Sequence, residues 1–213
     1  MPSRSLGGML EFLVGSGLAA AAGLNAWMPL FVLGLADRLV PAVELPGPWS
    51  WLSSDVSLWI IGVLLVVEIV ADKIPAVDSI NDVIQTIVRP ASGGVVFGAG
   101  ATAETVRVDD PASLLADNAW VPIVLGIVIA LIVHALKASV RPLANLATAG
   151  LAAPVVSSVE DMGAFALAVT AIFVPILAGI LLVALIVGGI VAFRRRRGWA
   201  SRRSSSSPAH PPG

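Results

Sequence analysis

Cysteine is absent from the 213 residues. That excludes disulfides, thiolate nucleophiles, iron–sulfur clusters and structural zinc. Histidine is nearly absent: His134 and His210 are the whole complement, too few for a multi-histidine metal site within one chain. No cofactor and no metal are expected. Charge is also scarce, with 13% of residues charged against 57% hydrophobic and a mean hydropathy of +0.91. A domain in water needs more charge than that to cover its surface, so the excess apolar residues face lipid. Phosphate loops, His-Glu-x-x-His and Gly-x-Ser-x-Gly are missing as well. With no soluble domain to hold a nucleotide, nucleic acid is not expected as a partner.

What is present is a series of long apolar runs. Residues 12–36, 119–136 and 162–193 carry no charge, and each is near or above the ~20 residues a helix needs to cross ~30 Å of hydrocarbon. A fourth run, 56–74, is apolar to Val67 and then carries Glu68, Asp72 and Lys73. Two further runs, 83–103 and 142–159, are rich in small residues and read either as crossings or as re-entrant segments, packed against other helices because backbone groups in lipid must bond internally. The predicted fold is an all-α polytopic transmembrane helix bundle over residues 1–193, with six passes favoured over four. A basic, Ser/Pro-rich tail follows over 194–213 and is expected to be disordered.

Lys and Arg placement sets the orientation. Arg194, Arg195, Arg196 and Arg197, with Arg202 and Arg203, put the C-terminus in the cytoplasm and against anionic headgroups. Arg4 weakly places the N-terminus there too. Six passes then bring Trp49, Trp51, Trp59 and Trp120 to the outer interface. The lipid bilayer is thus the first partner. Gly15, Ala19 and Gly23 form a small-residue stripe that packs another helix, within the chain or in a homo-oligomer.

The residues singled out for chemistry are polar groups inside these runs. Asn25 lies in the middle of the first run. Pro29, four residues on, clashes with the Asn25 carbonyl and removes a helical donor, giving either a packed kink or a solute site at a helix break. Glu68 and Asp72 share a helix face, and Glu68 sits about 9 Å short of the helix end at residue 74, too deep for simple solvation. Lys73 follows at the interface. Asp78, Asp82, Gln85 and Arg89 line one face of an amphipathic segment. His134, Lys137 and Arg141 share another face. In a six-pass chain the acidic and basic faces lie at one membrane edge, positioned to pair. Glu160 and Asp161 read as acids at a helix start, favoured by its dipole.

Several blocks resemble one bacterial membrane family catalogued as a domain of unknown function, number 4126. They are Gly23-Leu24-Asn25-Ala26-Trp27-Met28-Pro29-Leu30, Ala71-Asp72-Lys73-Ile74-Pro75-Ala76-Val77-Asp78 with Arg89-Pro90, His134 through Arg141, and the pair Glu160-Asp161. The resemblance spans roughly residues 10–190 and implies a multi-pass inner-membrane protein, with no activity attached. Three functions compete. One is passage of a small solute or ion at the charged faces. Another is a non-catalytic membrane scaffold. The third is a lipid enzyme in which Asp78 and Asp82 hold Mg²⁺.

Overall fold

Prolines divide the apolar runs more finely than hydropathy does. In the computed structural model, which describes residues 2–105, 120–147 and 153–204, seven α-helices appear: α1 (Pro2–Leu24), α2 (Met28–Leu39), α3 (Asp55–Ala71), α4 (Pro75–Thr102), α5 (Trp120–Ala147), α6 (Ala153–Phe173) and α7 (Pro175–Ser204). A 3-10 helix, Gly47–Ser53, precedes α3. Among the described residues the only β pairing is the bridge between Glu44 and Glu104, with N–H···O distances of 3.1 and 2.9 Å. Pro29, Pro75 and Pro175 all fall in the first turn of a helix, where a missing N–H costs nothing. Three helices are each long and apolar enough to cross a membrane, over Leu6–Leu24, Trp120–Ser139 and Ala153–Phe173. The 3-10 helix and α3, bent by 59°, would together make a fourth.

The core is built around α1, which packs against α4, α5, α6 and α7. Its inward side chains are small: Ala19, Ala20, Ala21 and Ala22 are wholly buried. The stripe foreseen in the sequence works within the chain. A Cβ on Gly15 would meet the Phe97 ring of α4, and one on Gly23 would meet Val133 and the Ala130 carbonyl of α5. Gly93 and Gly126 bring α4 and α5 together in the same way.

These contacts also fix helix directions. Gly100 sits on Val14 and Leu18, while Ser92 reaches Ala26, so α4 runs antiparallel to α1. Gly94 meets Ile123 and Ile127, and Gly98 also meets Ile123, making α5 antiparallel to α4. On α6, Gly163 faces Leu24 and Ala171 faces Gly17, an antiparallel course. Ala178 faces Gly17, Gly179 faces Leu13 and Gly189 faces Leu136, so α7 turns at Val174 and returns alongside α1. The start of α1 and the end of α7 therefore lie at opposite ends of the bundle.

Three sequence expectations change accordingly. The run 12–36 is not one kinked crossing. The helix stops at Leu24, and α2 doubles back, since Glu44 must reach Glu104 at the end of α4 that adjoins the first half of α1. The run 162–193 is divided at Pro175, and its first part begins earlier, at Ala153. The two small-residue runs are not separate segments: 83–103 continues α4, and 142–159 ends α5 and starts α6. Of the tail, residues 205–213 lie outside the described residues, while α7 continues helically through the arginines to Ser204.

Candidate functional site: an ion-pair network at a helix break

Breaking a helix inside a bilayer leaves backbone donors and acceptors that water cannot reach, at several kcal/mol each. Here the break spans Asn25, Ala26 and Trp27, and both of its ends receive side-chain partners. The carbonyl of Leu24, at the negative end of α1, accepts from Lys137 Nζ at 3.0 Å. At the positive end of α2, the Ala26 N–H donates to Glu68 Oε2 at 3.1 Å and to Oε1 at 3.3 Å. Asn25 Oδ1 accepts from the N–H groups of Met28 and Trp27, at 3.0 and 3.2 Å. Ser92 Oγ donates to the Ala26 carbonyl at 2.5 Å. An ammonium at the end of α1 and a carboxylate at the start of α2 both match the helix dipoles.

The charges at the break belong to a larger network. Arg89 is fully buried and donates from NH2 to Glu68 Oε1 at 3.1 Å, with Asp72 Oδ2 at 3.5 Å. Lys137 bridges Asp72 at 3.3 Å and Glu160 at 3.0 Å. Asn25 Nδ2 donates to Asp161 Oδ1 at 3.0 Å, and Lys73 pairs with Asp161 Oδ2 at 3.4 Å. Asn81 Nδ2 donates to Asp72 Oδ1 at 2.7 Å. The other Arg89 terminal nitrogen lies 3.0 Å from His134 Nδ1. A guanidinium only donates, so Nδ1 is the acceptor and the imidazole proton sits on Nε2. From there it reaches Thr86 Oγ1 at 3.2 Å, and that hydroxyl donates to the Asp82 carbonyl.

The network sits at the depth of lipid-facing side chains. Val66, Val67 and Val70 flank Glu68 on α3 and are exposed, as are Val155, Val159 and Met162 beside Asp161 on α6 and Leu131 and Ile132 on α5. Buried ions carry a desolvation penalty of several kcal/mol each, offset only by close pairing. Pairing is near complete; Arg89 Nε, Gln85 Oε1 and, one turn before Asp161, Ser157 Oγ have no hydrogen-bond partner among the described residues. The least buried of the ion-paired side chains are Lys73 and Glu160, 35% and 15% exposed.

Of the residues named from the sequence, Asn25, Glu68, Asp72, Lys73, Arg89, His134 and Lys137 converge here, and the acidic and basic faces do meet. Asp72 departs from expectation, being 1% exposed rather than at the interface. Asp82 contributes its carbonyl to Thr86 at the edge. The side chains of Asp78 and Arg141 lie outside the described residues. Sequence reasoning missed Glu160 and Asp161, taken for acids at a helix start. Because α6 begins at Ala153, both sit two turns into the helix, and an Asp-Glu pair inside an otherwise uncharged helix was the available signal. Ser92 was missed too, masked by its Gly-rich surroundings.

No curated protein and no solved structure matches the chain. A family model does, over residues 12–195, which covers the α1–α2 break, the whole network and most of α7. The chain thus belongs to the family described as a domain of unknown function, DUF4126.

Proposed function

We propose that this protein passes a small ion or solute across the bacterial inner membrane, with the network at the α1–α2 break as the site of passage. The observation that carries the reading is the meeting of two helix ends with buried charges beside side chains that face lipid, a combination that serves ion and solute binding elsewhere. The ion-paired set holds four carboxylates (Glu68, Asp72, Glu160, Asp161) and three cations (Lys73, Arg89, Lys137), so one negative charge is left over. That excess favours a proton or a monovalent cation as the passenger. Lys73 and Glu160 supply the exposed side of the network, and the glycine contacts among α1, α4 and α5 close the other.

The arginine run at the end of α7 assigns that end to the cytoplasm. With that end cytoplasmic, the parallel course of α1 and α7 supports an outer position for the start of α1, against the expectation of two cytoplasmic termini.

Proteoliposomes carrying a pH-sensitive dye test the reading. A proton gradient, or an imposed Na⁺ or K⁺ gradient, drives flux through the wild-type protein, and Glu68→Gln abolishes it while the protein still inserts and folds, at the reduced stability expected of a broken buried pair. No flux of any of these ions in the wild type would favour a scaffold. Mg²⁺-dependent lipid turnover lost in Asp82→Asn would favour a lipid enzyme.

A further inference from the structure

A groove of about 630 Å³ opens between α2 and α3, away from the ionic network. Phe31 and Leu35 line one wall, and Leu58, Val63 and Val67 line the other. Gly62 widens it, since an added Cβ there would meet only the edge of the Phe31 ring, at 3.3 Å. The lining is apolar except at one end, where Arg38 and Asp55 form an ion pair in the open, their side chains 46% and 75% exposed. Trp59, next to that end, is 76% exposed. From Asp55 to Val67 is twelve residues of helix, about 18 Å. That is close to half of a ~30 Å hydrocarbon core, the depth of one leaflet. An interfacial tryptophan, a charged mouth and a leaflet-deep apolar slot define where a lipid would lie.

The charges narrow the class. An exposed Arg–Asp pair contributes little to stability and separates readily. A guanidinium recognises phosphate, and a carboxylate recognises ammonium. We propose that the groove holds an acyl chain of a zwitterionic aminophospholipid from the leaflet on the tryptophan side, with Arg38 on its phosphate and Asp55 on its ammonium. An anionic phospholipid satisfies Arg38 but faces Asp55 with like charge. The proposal stands on the α2–α3 surface alone and is independent of ion passage.

Native mass spectrometry of the full chain, released from vesicles of equal phosphatidylethanolamine and phosphatidylglycerol, tests it. The expected result is one retained lipid per chain, with phosphatidylethanolamine favoured about fivefold, the scale of one exposed charge contact. In the double variant Arg38→Ala, Asp55→Ala, whose changes lie on the surface, the preference falls to near parity. Gly62→Leu, which fills the slot, loses the retained lipid at an unchanged melting temperature. Equal retention of both lipids by the wild type, a preference that survives in the double variant, or a dimer mass in place of a lipid adduct would overturn the proposal.

Discussion

Arg89 holds the network together. Its guanidinium touches Glu68, Asp72 and His134 at once and has no exposure. Removing one partner of a buried pair leaves the other charge stranded, at about 3–5 kcal/mol, whereas removing both partners is far milder. Arg89→Met is therefore expected to lower stability by about that amount in detergent. Adding Glu68→Gln to it should recover at least a third of the loss, as read by a double-mutant cycle on unfolding. At this scale the sequence was informative wherever depth alone made a charge anomalous. Glu68 and Asn25 stood out because each sits far from any run's end. Asp161 did not, because its depth depends on where α6 starts, and Pro154 in its first turn competes as a start signal with the acids themselves. Arg89 was placed on the right face but read as amphipathic, since its partners Glu68, Asp72 and His134 come from α3, its C-cap and α5 and have no local signature around Arg89.

Among the elements, packing is decided by glycine. A Cβ on Gly126 would collide with the Gly93 carbonyl and with Phe97, whereas one on Gly188 would meet nothing within 4 Å. Gly126→Ala should destabilise by about 1–3 kcal/mol through forced separation of α4 and α5. Gly188→Ala, on an open face of α7, should be neutral or stabilising by up to about 1 kcal/mol from helix propensity. Thermal unfolding of the two variants side by side checks both. The prolines illustrate how element boundaries were half legible. Pro29 and Pro175 marked where helices fail, but not whether the chain bends or reverses. Reversal at both is a tertiary result: α2 is drawn back by the close fit of Gly34 on the Leu52 carbonyl and by the Glu44–Glu104 bridge, and α7 by the fit of Gly179 on Leu13. None of those pairings has a local signature.

For the molecule as a whole, the helical membrane bundle followed from composition. Trp49, Trp51, Trp59 and Trp120 lie at one end and the arginine run from Arg194 at the other, a polarity that residue placement along the sequence already implied, yet a count of passes from hydropathy cannot register a helix that dips in and returns. The absence of cysteine makes topology directly measurable. A membrane-impermeant maleimide applied to spheroplasts should label Ser5→Cys and spare Ser201→Cys, with the pattern exchanged in inside-out vesicles. The most direct test of the account joins this cysteine-free background to the break itself. Ser92 Oγ donates to the Ala26 carbonyl, so the break lies against α4, and an Ala26→Cys, Ser92→Cys pair that forms a disulfide on oxidation pins the break to α4. Proton or cation flux in proteoliposomes should then stop on oxidation and return on reduction. Flux that continues unchanged through the cross-linked protein would contradict passage at the break.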